Sequence, residues 1–405
     1  MNAPHPSLFA QVSLAPRDPI LGLNEAFAAD TRADKVNLGV GVYYDENGKL
    51  PLLNCIKQAE EERTAQSPAR GYQPIEGAAA YNKAVQQMIF GAGHPLLAQD
   101  RVVTIEALGG TGALKVGADY LKQLLPQSAV AISDPSWENH RALFETAGFA
   151  VHNYKYYDPT SRGVDFAGMM ASLKALPARS IVVLHACCHN PTGADLSDHQ
   201  WDEVVAACAS GSLVPFLDMA YQGFGQGLFE DAVALRKFAD AGLNFFVSSS
   251  FSKSFSLYGE RVGALSIVTG SADETKRLLS QVKRVIRTNY SNPPTHGGAL
   301  VTMVLSTPAL KALWEEELAA MRNRIRAMRE GLVQGLKDLG VAQDMSFVTR
   351  QKGMFSYSGL TEKQVDRLRE EHGIYAVGTG RICIAALNNK NLPRVSQAIA
   401  SVIKP

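Results

Sequence analysis

Cysteine is scarce, with five residues in 405, at positions 55, 187, 188, 208 and 383. The number is odd and the spacing irregular. That argues against a disulfide framework and for reduced thiols in cytoplasm. A surplus of charge is also missing, since 40 Lys and Arg face 39 Asp and Glu for a formal net charge of +1. Such a balance argues against nucleic acid or an anionic membrane as the main partner. No apolar run approaches the roughly 18 residues that span a bilayer, and residues 1–16 lack the basic start and apolar core of a secretion signal. Internal repeats and low-complexity stretches are absent too.

What is present has the composition of a soluble enzyme, 46% apolar and 20% charged. A chain of 405 residues exceeds what one core usually supports, so two domains are expected. Residues 1–20, with prolines at 4, 6, 16 and 19, read on composition as an extended arm or a disordered tail. Val36 to Tyr44 reads as a short strand interrupted by Gly39 and Gly41. Helical patterns cover about 53–65 and 78–90. Strand candidates near 102–107, 129–132, 150–155, 180–185, 213–217, 245–249 and 262–268 alternate with helical patterns. That alternation predicts an α/β fold, a mostly parallel sheet with helices on both faces and functional loops at the carboxyl ends of the strands. A long helical pattern over 309–338 suits a spine between domains, and the last stretch of chain reads as α+β.

Lys253 lies in a serine-rich bend, Ser248 to Ser256, between two apolar strands. A lysine held against an apolar interior has a lowered pKa and can attack carbonyls or act as a base. Gly109-Gly110-Thr111-Gly112, opening a helix after a strand, has the free N–H groups of a phosphate site. A dinucleotide loop is the rival, with Asp134 as the ribose acid, although the G-x-G-x-x-G spacing is incomplete. His185, Cys187 and His189 would share one strand face. A fourth ligand is lacking and no second Cys/His cluster occurs, so no metal is expected.

The string Ser250-Phe251-Ser252-Lys253, followed by Tyr258-Gly259-Glu260-Arg261-Val262-Gly263, resembles the cofactor-lysine segment of class I aminotransferases, fold type I pyridoxal phosphate enzymes. His189-Asn190-Pro191-Thr192-Gly193 and Asp218-Met219-Ala220-Tyr221-Gln222-Gly223-Phe224 match further segments of that family. The resemblance runs from about residue 18 to the C-terminus. It implies a large domain with a seven-stranded, mostly parallel sheet and a smaller α+β domain. Residues 1–49 would then be the arm and the first part of the small domain, 50–315 the large domain and 316–405 the rest of the small one.

The resemblance also implies roles. Lys253 would carry pyridoxal phosphate as a Schiff base and move the substrate proton. Asp218 would pair with the pyridine nitrogen, with His140 orienting it, and Asn190 and Tyr221 would face the phenolic oxygen. Gly110, Thr111, Ser250 and Arg261 would hold the phosphate, and Trp137 would stack on the ring. Gly109 stands where the family often has serine, which removes one hydroxyl contact. Gly41 and Arg381 would meet the substrate α-carboxylate, with Trp137 and Asn190 beside them. Tyr72 and Arg287 would reach into a second subunit's pocket, implying a homodimer with shared sites and an arm that crosses between subunits. Amino acids and 2-oxo acids would be the partners.

Tyr43-Tyr44, the run Trp137 to His140, Cys187-Cys188 and Tyr258 to Arg261 are most similar to the bacterial aromatic amino acid branch. An aspartate aminotransferase with little aromatic activity is the alternative. A nicotinamide dehydrogenase built on Gly110 and Asp134 and a catalytically silent binding protein also remain open.

Overall fold

A computed structural model of the chain describes residues 7–15 and 19–404. Seven strands form the central sheet: β1 (Val102–Leu108), β2 (Val130–Asp134), β3 (Val151–Lys155), β4 (Ile181–His185), β5 (Val214–Met219), β6 (Phe245–Ser250) and β7 (Val262–Val268). Their spatial order is β1-β7-β6-β5-β4-β2-β3. Neighbours are parallel except β7, which runs antiparallel to both β1 and β6. Strands β4, β6 and β7 are buried along their whole length. Strands covered on both faces are mostly apolar, which is why they read in sequence largely as apolar runs, the buried serines of β6 and His185 of β4 being the exceptions at the cavity end.

Helix α1 (Pro19–Ala29) precedes the sheet, and helices cover both of its faces, among them α2 (Asn54–Gln66), α3 (Ala79–Phe90), α4 (Gly109–Leu124), α5 (Glu138–Thr146), α6 (Ala272–Asn289) and α7 (His296–Ser306). The sheet thus separates two apolar clusters. Helix α8 (Pro308–Asp338) packs against α2 and α7 on one side and α9 (Leu392–Ile403) on the other. The C-terminal part holds Phe355–Tyr357 paired with Arg381–Cys383 among short helices.

Two expectations need correction. Only Val36 and Asn37 are strand, paired with Ile374 and Tyr375. Beyond them the backbone bonds to scattered partners, with Tyr43 N–H donating to Tyr258 Oη at 2.9 Å and Tyr44 N–H to the Ala385 carbonyl at 3.1 Å. No single neighbouring strand is there to continue the ladder. The arm is shorter than read, because Pro19 already opens α1, and proline fits a first helical turn, where its missing N–H costs nothing. Within it, residues 8–11 form a turn, and Leu8, Phe9, Val12 and Leu14 are exposed. Pro4, Pro6 and Pro16 lie outside the described residues.

Candidate active site

The carboxyl ends of β2, β4, β5 and β6 all face one cavity of about 210 Å³. Ladder register brings its parts together. His185 pairs with Asp218, Asp218 with Ser248, Ser250 with Gly263, and Leu108 with Val262. One wall is thus the junction from β1 into α4, and the floor is the ends of β4 and β5.

Lys253 stands just past β6 and lines this cavity. Phe251 and Phe255 flank it as buried anchors in edge-to-face contact, 5.4 Å between ring centroids. Burial of each ring contributes about 1.5–3 kcal/mol. Phe255 stacks on Trp314 of α8 at 4.4 Å, and the Trp314 indole N–H donates to the Ser254 carbonyl at 2.7 Å. The lysine is therefore fixed from both sides while its amine stays in the cavity, 5.0 Å from the Tyr221 ring centroid. Burial pushes the ammonium down to about 8, against the pull of Asp218 and with help from the Arg261 charge.

Asp218 ends β5 in a buried position. Its Oδ2 pairs with His140 Nε2 at 2.9 Å, and Ser136 Oγ pairs with His140 Nδ1 at 2.9 Å. Burial by itself would raise this carboxyl. The His140 hydrogen bond and the charges of His140, His185 and Lys253 outweigh it and hold the group below its usual range. Asp218 is therefore a buried carboxylate that keeps its charge.

Arg381 is 1% exposed. Its Nη1 donates to Asn190 Oδ1 at 3.2 Å and its Nη2 to the Gly39 carbonyl at 2.8 Å, and its guanidinium lies 4.4 Å from the Phe355 ring centroid. Nε has no partner. A buried guanidinium with donor capacity in hand, no carboxylate partner and an aromatic backing suits a planar carboxylate ligand. The two nearby glycines have steric reasons to be there. A Cβ at Gly39, whose carbonyl accepts from Arg381, would lie 2.1 Å from Leu23 Cδ2, and a Cβ at Gly41 would lie 2.8 Å from Phe355 Cζ. Phe355 is held by the buried Arg329, which donates to the Val348, Gly353 and Phe355 carbonyls.

At the other end, α4 begins with no side-chain cap; Gly109 N–H donates to the Arg261 carbonyl at 2.9 Å, and the N–H groups that follow it in the first turn meet no capping side chain. Ser250, Ser252, Thr111 and Arg261 line the same end of the cavity. Arg261 Nη1 donates to the Tyr258 carbonyl at 2.8 Å and toward Ser252 Oγ at 3.4 Å. A helix N-terminus, three hydroxyls and a guanidinium form a donor set for a phosphate dianion. Gly109 has φ +68, and a Cβ there would lie 2.5 Å from Arg261 Nη2. The guanidinium occupies the space a serine would need.

Eleven residues singled out from the sequence line this one cavity: Gly41, Gly110, Thr111, Trp137, Asn190, Asp218, Tyr221, Ser250, Lys253, Arg261 and Arg381. Asn190 Nδ2 and Tyr221 Oη are 3.5 Å apart, and burial raises the Tyr221 hydroxyl. Tyr72 and Arg287 do not line it. Tyr72 is 96% exposed, and Arg287 is exposed and donates to Ser291 Oγ. Ser252, Tyr258, Phe355 and His185 also line it.

His185, read in sequence only as a possible metal ligand, has two buried ring nitrogens without partners. The three residues of that metal pattern do not share one site: the His185 and His189 rings meet at 4.2 Å between centroids, but Cys187 belongs to a separate cluster. His189 stacks on Tyr156 and pairs with Ser133 and Thr192, whereas Cys187 sits with Cys188 and Asp231. Strand β4 ends at His185, so no common strand face exists.

Residues 33–399 match the family described as aminotransferase class I and II. The chain is 65% identical to an aspartate aminotransferase of Pseudomonas aeruginosa over 98% of its own length and 100% of the relative's. It is 51% identical to an aromatic-amino-acid aminotransferase of Escherichia coli, again over 98% and 100%. Among solved structures, the aromatic-amino-acid aminotransferase of Burkholderia pseudomallei, covalently bound to pyridoxal phosphate, superposes with a TM-score of 0.97 at 65% identity, covering 98% of this chain and 100% of that one. The chain belongs to the class I and II aminotransferases.

Proposed function

We propose that the chain is a pyridoxal phosphate-dependent aminotransferase that moves amino groups between aromatic L-amino acids or aspartate and 2-oxoglutarate, acting as a homodimer with shared sites. The observation that carries this is the convergence of Lys253, Asp218 and Arg381 on one cavity whose far end is a phosphate cradle. The donor set fits the cofactor: Gly110, Thr111, Ser250 and Arg261 toward its phosphate, Trp137 toward its ring face, Asn190 and Tyr221 toward its phenolic oxygen. When bound, pyridoxal phosphate supplies an aldehyde that accepts the substrate's amino group and a ring that withdraws the electrons left at Cα.

The protein's own part is binding and proton transfer. Arg381 grips the α-carboxylate and so orients the Cα–H bond. Asp218, kept ionised by His140, holds a proton on the ring nitrogen. Lys253 Nζ takes the Cα proton and returns it after the transfer. Only the neutral amine can accept that proton, and burial lowers the ammonium to about 8. The rate of proton removal should therefore rise with pH up to about 8 and then level off. We place Tyr72 and Arg287 in the partner's pocket and read 50–315 as the larger unit and 1–49 with 316–405 as the smaller. Helix α8 would join them. The five free cysteines support a cytoplasmic setting.

A second reading, an aspartate enzyme with little aromatic activity, draws on the Pseudomonas relative's name. Single-turnover half-reactions test the two directly. Both aspartate and phenylalanine should convert the bound cofactor. Conversion by aspartate alone would leave the second reading, and conversion by neither would reject both.

The cradle carries a separate prediction. Gly109→Ser should not add a phosphate contact but displace Arg261, and a left-handed serine costs a further ~1–2 kcal/mol. Pyridoxal phosphate titrated into the apoprotein should bind roughly tenfold more weakly or worse. Unchanged or tighter binding would show that the guanidinium yields freely.

A further inference from the structure

Glu106, in the middle of β1, has no part in the chemistry above, and its surroundings are unusual for a carboxylic acid. It is 2% exposed, its Oε2 has no partner, and among the described residues it forms no ion pair. Two glycines make room for it. A Cβ at Gly77 would lie 2.4 Å from Glu106 Cβ and 2.8 Å from Oε2, and a Cβ at Gly298 in α7 would lie 2.0 Å from Oε1.

The backbone at this position joins the same two regions. Glu106 N–H donates to the Glu76 carbonyl at 2.9 Å, and Tyr290 Oη donates to the Glu106 carbonyl at 3.2 Å. Gly77 closes the loop that carries Tyr72, and Tyr290 caps α6, whose last turn carries Arg287. Two segments with exposed functional residues thus meet on one buried acid.

We propose that Glu106 is a positioning residue: its backbone joins the Tyr72 loop to Tyr290, its neutral carboxyl group packs into the space left by Gly77 and Gly298, and its ionisation loosens that junction.

Burial raises the group to about 7, against the backbone N–H of Ala78, which favours the charged form. The titratable groups around it supply no free counter-ion. Lys283 of α6 is paired with Glu76 at 2.6 Å, and His296 of α7 with Glu60 at 3.6 Å. Tyr81 of α3 donates to the Gly263 carbonyl, and Tyr290 donates to the Glu106 carbonyl; neither carries a positive charge. The sign follows. A carboxyl raised by folding is neutral below about 7 and strains the fold once pH carries it through that value. Above it, a charge without a counter-ion lies between two backbone segments in contact with it, and the segment with fewer bonds gives way.

The test is hydrogen exchange of amides 71–77 in the holoenzyme, wild type against Glu106→Gln, which keeps the shape and removes the titration. Taking the ratio at each pH cancels the intrinsic pH dependence of exchange. The ratio should be close to one near about pH 6 and rise roughly threefold or more by about pH 8.5. Glu106→Met, neutral for a different reason, must track Glu106→Gln. A ratio that stays flat, or a Met variant that keeps the wild-type pH dependence, overturns the proposal.

The consequence for catalysis rests on the assignment of Tyr72 and Arg287 to the partner's site. If that also holds, wild-type kcat/KM for aspartate should fall relative to Glu106→Gln over the same pH range. Exchange that rises while the kinetic ratio stays flat would keep the role of Glu106 at the junction and reject the shared-site assignment instead.

Discussion

Lys253→Ala is expected to bind pyridoxal phosphate and yet lose nearly all turnover. General base catalysis alone contributes ~10²–10⁴-fold, and this variant loses the covalent anchor as well, so kcat should drop by roughly 10⁴ or more. The arginines and tyrosines that line the cavity cannot stand in. Arg261 and Arg381 line the cavity, but guanidinium groups do not give up their protons near neutrality. The hydroxyls of Tyr221 and Tyr258 are pushed up by burial and stay protonated. The phosphate cradle and the carboxylate of Asp218 are untouched by the change, so cofactor affinity should persist. Equilibrium dialysis and steady-state rates on one preparation measure both halves. Retained turnover, or lost cofactor binding with a folded protein, would contradict the role given to Lys253.

Arg287→Leu should separate the substrates. In the proposed dimer Arg287 forms a charge-assisted pair with the side-chain carboxylate of aspartate or 2-oxoglutarate. Breaking one side of a desolvated pair costs about 3–5 kcal/mol, which is ~2–4 decades in kcat/KM. Aromatic side chains would lie instead against Trp137 and Phe355, which line the cavity without help from Arg287. In the single chain Arg287 is exposed and, among the described residues, donates only to Ser291, so little holds it against moving aside. Phenylalanine and tyrosine should keep most of their rate. Equal losses for aspartate and phenylalanine would remove Arg287 as the selector.

The sheet was legible because its physics is local. Most of the strands are short runs rich in apolar residues, the edge strand β3 (VHNYK) being the exception, and the observed ends fall close to the expected ones. The glycines at 39 and 41 were legible as a pattern, but the irregular path around them was not. Its hydrogen-bond partners come from Tyr258, Tyr375 and Ala385, far along the chain.

The eleven cavity residues were found through family motifs. What no motif revealed was their support: Phe255 stacked on Trp314, Phe355 held by Arg329, and Gly109 emptied of a side chain by Arg261. Those contacts join residues 26 to 152 positions apart in sequence, and only the folded chain brings them together. The same holds for Glu106, an acid inside an apolar run that strand periodicity cannot distinguish from core.

The most direct measurement is borohydride reduction of the holoenzyme followed by peptide mapping. The added cofactor mass should appear on the peptide containing Lys253, in wild type only, and Lys253→Ala should bind the cofactor yet release it on denaturation. Cofactor fixed to any other lysine, in either protein, would contradict the assignment on which the catalytic account depends.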